Sequence, residues 1–398
     1  MTFDVIIGGA GIIGLATAYK ILLSKPNVKL LVLEKENGVA QHQSGHNSGV
    51  IHSGIYYKPG SLKAKNCLNG YSQLLKFCKD ENIGHEICGK VIVAVDEGEL
   101  SRLNNIYERG IANGLDKIRF IGKDELKEFE PHAIGIKAIH VPYAGIVNYN
   151  KVAEKLNERI SQSGKVNFNE AVIDLRKDDK ALKVVSSKET YDTKVFVNCC
   201  GLQSDEVASM TLKKNNLRII PFRGEYYKLS DAKKYLVKNL IYPVPNPAFP
   251  FLGVHFTRMI TGEIEAGPNA VLSFKKEGYG KTSFSLKDSL KTFSWPGFMK
   301  ISVKYLHTGI GETYRSFSKS AFTKALQNLV PEIRKDDLVK GGAGVRAQAV
   351  SRDGKLIDDF VIEETENIVH VLNAPSPGAT SCLSIGEHIS KIVFEKLN

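Results

Sequence analysis

The apolar run Phe3-Asp4-Val5-Ile6-Ile7 passes straight into Gly8-Gly9-Ala10-Gly11-Ile12-Ile13-Gly14, and no other feature of the chain narrows its fold as far. In a turn of the form G-x-G-x-x-G the first glycine permits the tight bend, the second lets a pyrophosphate reach the backbone, and the third lets helix and strand pack closely. Gly9, Gly11 and Gly14 hold those places. An apolar helix is expected over Leu15 to Leu23 and a second strand over Val28 to Leu33, ending at Glu34. That acid lies about 20 residues past the glycines, the spacing of a ribose-binding carboxylate. The pattern predicts a Rossmann-like βαβ unit with an anion at the helix N-terminus, where unpaired N–H groups and the helix dipole favour negative charge.

A second junction of the same kind stands near the other end. Asn373-Ala374-Pro375-Ser376-Pro377-Gly378-Ala379-Thr380 separates an expected strand, Ile368 to Leu372, from an expected helix, Cys382 to Lys396. Small residues there bring backbone N–H groups and the Thr380 hydroxyl against a ligand. A simple NAD site has no use for a returning segment, whereas FAD, longer and carrying an isoalloxazine ring, does. The cofactor expected is FAD, with no metal.

These two junctions, the loop Gln43-Ser44-Gly45-His46-Asn47-Ser48-Gly49-Val50-Ile51-His52-Ser53-Gly54 and the strand end Val197-Asn198-Cys199-Cys200-Gly201 together resemble the FAD-dependent oxidoreductases of the glycine oxidase and D-amino-acid oxidase type. Within that family the chain is most similar to the branch that oxidises L-2-hydroxyglutarate. The segments concerned are His52 to Tyr57, Phe222 to Tyr227, Tyr242 to Pro245, Phe251 to Arg258, Gly267 to Ala270 and Gly344 to Gln348. The likeness spans almost the whole chain; Cys199-Cys200 stand where two alanines are usual. It implies an α/β chain, α+β overall, with a discontinuous Rossmann-like FAD-binding domain (1-84, 141-217 and 341-398) and a second, mixed-sheet substrate domain (85-140 and 218-340). It also implies cofactor contacts at Gly9, Gly11, Gly14, Glu34, Lys35, Ser44, His46, Asn47, Ser48, Gly201, Ser376, Gly378, Ala379 and Thr380, with the adenine met by the backbone of Val172.

Size and composition agree with this reading. At 398 residues two domains are expected. No run of apolar residues is long enough to span a bilayer, and the first strand begins at Phe3, so no signal or transit segment is expected and the protein is read as cytoplasmic. The six cysteines lack metal-ligand spacing and read as reduced thiols. The net charge of +11 comes from scattered lysines rather than a basic tract, which argues against nucleic acid and for solvated surface with some attraction for anionic ligands.

Oxidising a secondary alcohol removes a hydride from carbon and a proton from oxygen. Flavin N5 accepts the hydride, and the protein must supply a base and cationic clamps. An alcohol is a much weaker acid than an ammonium group, so a histidine is the first candidate base. His52 follows the loop expected along the flavin, and His255 lies in Gly253-Val254-His255-Phe256-Thr257-Arg258, expected above it. Either suits the base; a histidine in an apolar strand is also an ordinary core side chain. Two carboxylates on the substrate call for two polar clamps, and arginine's planar fork fits a carboxylate. Arg346 is the candidate for one end. Arg223, Arg258 and Arg315 compete for the other, with Tyr57 and Tyr226 as hydroxyl partners.

Leu286 to Lys300 combines the only tryptophan, Trp295, with large apolar residues and lysines, the make-up of a peripheral contact with the inner face of a membrane. Pro296-Gly297 breaks it, which suits two short helices packed on the substrate domain instead. The partners expected are a small dicarboxylate hydroxy acid and, as electron acceptor, oxygen or a membrane quinone. Two rival readings remain: an amine oxidase of the same fold acting on glycine, sarcosine or a D-amino acid, and a flavin-binding interaction protein without turnover.

Overall fold

A computed structural model describes residues 1–177, 182–246 and 252–397; Phe251, which opens one of the segments quoted above, lies outside them. The glycine turn forms as its residue types require. The strand Thr2–Gly8 ends at Gly9, whose φ of 100° favours glycine, and the helix Ile12–Ser24 begins at Gly11. A Cβ on Gly14 would stand 2.0 Å from the Gly9 carbonyl oxygen, so the close helix-to-strand approach depends on that glycine.

Among the described residues eight strands make the first sheet. Thr2–Gly8 lies parallel between Leu30–Leu33 and Thr190–Asn198; Lys165–Asn167 adds parallel beside Leu30–Leu33, and Ile368–Asn373 parallel beside Thr190–Asn198. Val172–Lys177 and Leu182–Ser186 extend it in antiparallel fashion on one side, and Val361–Glu364 pairs antiparallel with Ile368–Asn373 on the other. Its helices bury apolar faces: Ile12–Ser24 packs on the last helix, Cys382–Leu397, and on Tyr149–Ile160. The ladder residues Val5, Ile7, Val195 and Val197 are fully buried beneath them, the near-continuous apolar composition expected of a parallel sheet covered by helices.

The second sheet is mixed and is formed largely from the segments that sequence assigns to a substrate domain. Its longest strands, Leu217–Leu229 and Leu338–Ser351, pair antiparallel along nearly their whole length. Both cross the domain limits read from sequence, at 217 and 341, so a continuous hydrogen-bonded ribbon joins the two units. Farther along this sheet three neighbours matter: His255–Arg258, Leu240–Pro243 and Lys90–Ala94. The register sets Tyr242 beside Ile92 and Ile241 beside Phe256. With side chains alternating from face to face, His255, Tyr242 and Lys90 come to one face of the sheet.

Candidate active site

The cofactor side is a cradle of glycines and short polar groups. The Glu34 carboxylate accepts from the backbone N–H of Ala10 at 2.7 Å and of Glu36 at 2.9 Å, which fastens the second strand's end to the glycine turn and leaves lone pairs for a ribose. Ser44 reaches over from the 43–48 loop, where its hydroxyl accepts from the Ile12 N–H at 2.9 Å. The Asn47 amide holds that loop in shape by donating to the Ser44 carbonyl, while its oxygen accepts from the Gly49 N–H. His46 stacks on Tyr279, with ring centroids 4.3 Å apart, and bonds the Ala343 carbonyl. Ser48 is partly buried in the same loop. Gly201, at φ 53°, faces Gln43, and the Val172 side chain lies beside Gly8 at the end of the first strand.

Two of the expected contacts behave differently from what sequence suggested. The Lys35 ammonium lies 2.9 Å from Glu277 and is also paired with Glu36, with His42 alongside. Glu36, His42 and Glu277 are grouped closely enough to hold a metal ion, but the lysine is already the cation among them. Thr380 turns its hydroxyl inward, fully buried, to Tyr149 at 2.9 Å and to the His52 N–H at 3.1 Å. Its backbone, with Gly378 and Ala379, is the part left to meet a ligand.

The cradle suits FAD. The helix at Gly11 has no side-chain cap of its own, a Cβ at Gly9 would meet the Cys199 carbonyl at 2.5 Å, and among the described residues the buried hydroxyls of Ser53, just after Val50–Ile51, and of Ser381, just after the 373–380 turn, have no hydrogen-bond partner. Uncapped N–H groups and orphaned hydroxyls at the meeting of two strand-loop-helix junctions are what a polar, anionic cofactor satisfies.

The candidate catalytic groups include the two histidines. Ser376 bridges His52 and Tyr57: its hydroxyl is 3.4 Å from the His52 Nε2 and bonded to the tyrosine. His255 is buried, and its Nδ1 is 2.9 Å from the Gly253 carbonyl. A carbonyl only accepts, so Nδ1 carries the proton and the neutral ring keeps its lone pair on Nε2, the tautomer a base needs. Burial and then the positive charges nearby hold both rings neutral, lowering His52 to about 3 and His255 to about 4. Arg346 is among the cations acting on His255 and is hydrogen-bonded to Tyr226.

The other three arginines are already engaged. Arg223 is buried against Glu225 at 2.8 Å, Arg258 grips Glu86 through two bonds of 3.0 and 2.6 Å, and Arg315 pairs with Glu312 at 3.0 Å. The structure does not bring them to the histidines as open cations. It brings Lys90 instead, which sequence reading passed over. Lys90 is 2% exposed, and its ammonium sits 4.5 Å from the Tyr56 ring centroid and 4.8 Å from that of Tyr242. The Tyr242 ring in turn lies 4.0 Å from His255. A lysine opening the run Lys90-Val91-Ile92-Val93-Ala94 reads as a solvated strand end, and no signal in the sequence marks it as buried.

Comparison with known proteins now bears on this geometry. Residues 4–392 match the family described as DAO, FAD dependent oxidoreductase. The chain is 56% identical over 388 residues to L-2-hydroxyglutarate dehydrogenase of Indibacter alkaliphilus, covering 97% of each. It is 43% identical to the mitochondrial L-2-hydroxyglutarate dehydrogenase of Bos taurus, covering 99% of this chain and 89% of that one. Among solved structures, the FAD-bound L-alpha-glycerophosphate oxidase of Mycoplasma pneumoniae superposes with a TM-score of 0.82 at 24% identity, over 99% of this chain and 95% of that one.

Proposed function

The chain belongs to the FAD dependent oxidoreductase family, and on that premise we propose that it oxidises L-2-hydroxyglutarate to 2-oxoglutarate, as its relatives' names describe for them. The observation that carries this reading is His255, a buried neutral imidazole with Nε2 available beside Arg346. An alcohol needs such a base, and an amine bound in its free form does not. Bound FAD supplies the hydride acceptor. The chain's own groups do the rest: Arg346, steadied by Tyr226, holds the carboxylate next to the reacting carbon, and His255 Nε2 takes the hydroxyl proton. His52, tied through Ser376 to Tyr57, orients the substrate.

The test is anaerobic mixing of the yellow holoenzyme with a panel of L-2-hydroxyglutarate, L-lactate, glycine, sarcosine and D-alanine. L-2-hydroxyglutarate is expected to bleach the flavin and yield 2-oxoglutarate. Bleaching by an amine but not by the hydroxy acid would transfer the assignment to amine oxidation, and bleaching by none would favour a binding protein without turnover.

A second reading concerns the electron acceptor. No helix among the described residues is long and apolar enough to cross a membrane. Yet the helices between 286 and 317 expose Leu286, Leu290, Val303, Ile310, Tyr314 and Phe317, each more than half accessible, with Lys287, Lys291, Lys300 and Lys304 along the same stretch. We propose that this face rests on a lipid surface and that electrons pass to a membrane quinone rather than to oxygen. Trp295 takes no part: it is buried, donates to the Val350 carbonyl at 3.0 Å and lies between Arg218 and Arg352. Sedimentation with anionic vesicles checks this. Val303→Glu with Ile310→Glu should abolish binding while leaving anaerobic flavin reduction unchanged.

A further inference from the structure

We propose that Lys90 is the second carboxylate clamp, its ammonium taking the substrate carboxylate remote from the reacting carbon while Arg346 takes the near one. The inference deepens the reading of the site as one for L-2-hydroxyglutarate and rests on it. Lysine is almost never fully buried unless paired, and removing an ammonium from water is strongly unfavourable unless an anion or a dense set of acceptors replaces the solvent. Lys90 has neither among the described residues. Its neighbours are the faces of Tyr56 and Tyr242, with the Cys67 thiol near enough to act on it. The rings give the cation an attractive wall without neutralising it. The buried Tyr56 hydroxyl also has no hydrogen-bond partner among the described residues. An unpaired donor and an unpaired cation at one wall of the site form the complement of a carboxylate.

Position assigns which carboxylate. Of the two cations, Arg346 acts more strongly than Lys90 on His255, whereas Lys90 is the foremost charge acting on His52. With the hydroxyl proton going to His255, the carboxylate on the same carbon lies toward Arg346, and the chain of the substrate extends past Tyr242 toward Lys90. The three arginines that sequence offers for this role are held by glutamates, which leaves the task to the buried lysine.

The experiment compares wild type with Lys90→Met and Lys90→Arg as FAD-loaded proteins. Each is titrated with glutarate and with butyrate, which differ by the remote carboxylate and are not oxidised, and each is assayed with L-2-hydroxyglutarate and its neutral 5-amide. Wild type should prefer glutarate. In Lys90→Met the affinity for glutarate should fall by about 100-fold or more while that for butyrate changes less than about 5-fold, and the preference for the acid over the amide in kcat/KM should collapse similarly. Lys90→Arg should retain part of both preferences. The ligand-free Lys90→Met protein should melt no lower than wild type, because an uncompensated buried charge has been removed. An unchanged glutarate preference in Lys90→Met, or equal losses with both ligands, would overturn the proposal. Failure of wild type to oxidise L-2-hydroxyglutarate, with glutarate still held through Lys90, would overturn the substrate reading and leave the carboxylate site standing. Should Lys90→Met lose FAD or melt lower, the lysine is a structural cation and the proposal fails.

Discussion

At His52 and His255 burial and neighbouring cations act in one direction, against protonation, and at Lys90 burial acts against the charge it carries, lowering it to about 7. These directions set opposite limbs of a pH profile. As pH falls toward about 4 His255 gains a proton and ceases to be a base; as pH rises through about 7 Lys90 loses the charge that holds a carboxylate. The other groups facing Lys90 do not titrate in that window: the Cys67 thiol is pushed up to about 12, the Tyr56 and Tyr242 hydroxyls are raised by burial, and His52 is lowered to about 3. Activity with L-2-hydroxyglutarate is therefore expected to fall on both sides of a plateau between roughly pH 4 and 7, read from kcat/KM in initial rates. His255→Gln should slow flavin reduction by about 10²–10⁴-fold and abolish the acidic limb. Lys90→Arg should move the alkaline limb upward, since a guanidinium stays charged. An acidic limb that persists in His255→Gln belongs to the substrate or to another base.

The glycine turn separates folding from cofactor binding at the level of one strand and one helix. At Gly14 a Cβ would collide with the Gly9 carbonyl, so Gly14→Ala should lower the melting temperature along with FAD content. At Gly11 a Cβ would meet only the Ser44 hydroxyl at 3.4 Å, an ordinary contact. Gly11→Val should thus give a folded protein without flavin, since the lost room is the cofactor's. Flavin absorbance and a thermal melt on the same samples distinguish the two. Ser44→Ala removes the only side chain among the described residues that accepts from the first turn of that helix, a loss of about 1 kcal/mol by analogy with N-caps, and should weaken FAD retention without abolishing it. These elements were legible in sequence because their signals are local. The strand into Gly9, the helix broken at Pro296 and the junction at 373–380 form where turn chemistry put them. Trp295, by contrast, is an anchor by composition and a core residue in fact, because only its partners across the fold, Val350, Arg218 and Arg352, bury it.

Among the described residues burial works against protonation at four histidines: His52 and His255 in the site, His370 in the strand Ile368–Asn373, lowered to about 4, and His140, lowered as well. Their folded values lie below the value of about 6.5 in an unfolded chain, so the unfolded state takes up protons first as pH drops. Burial also raises the Glu130 and Glu265 carboxyls to about 7, so over the same interval those two take up protons first in the folded state and oppose the histidines. The histidines outnumber them, and the stability of the ligand-free protein should decline shallowly from about pH 6.5 toward pH 5, as denaturant midpoints across that interval measure. A stability that instead rises as pH falls across that interval would mean that the histidine rings are not withdrawn from water in solution, because the two carboxyls alone would then set the slope. At this scale the division between sequence and structure has a physical basis. The sequence by itself determined the dinucleotide cradle, the second junction that requires a longer cofactor, and the histidines and Arg346 as candidate groups, because glycine spacing, turn residues and side-chain chemistry act within a few residues. Only the tertiary structure decided which cations are open. Arg223 and Arg315 meet carboxylates two and three residues away, Arg258 meets Glu86 from a distant segment, and Lys90 meets none among the described residues, only the rings of Tyr56 and Tyr242 carried by other parts of the chain. For Arg258 and Lys90, whether the charge is paired or buried depends on neighbours distant in sequence, and strand pairing across the mixed sheet is what assembles them.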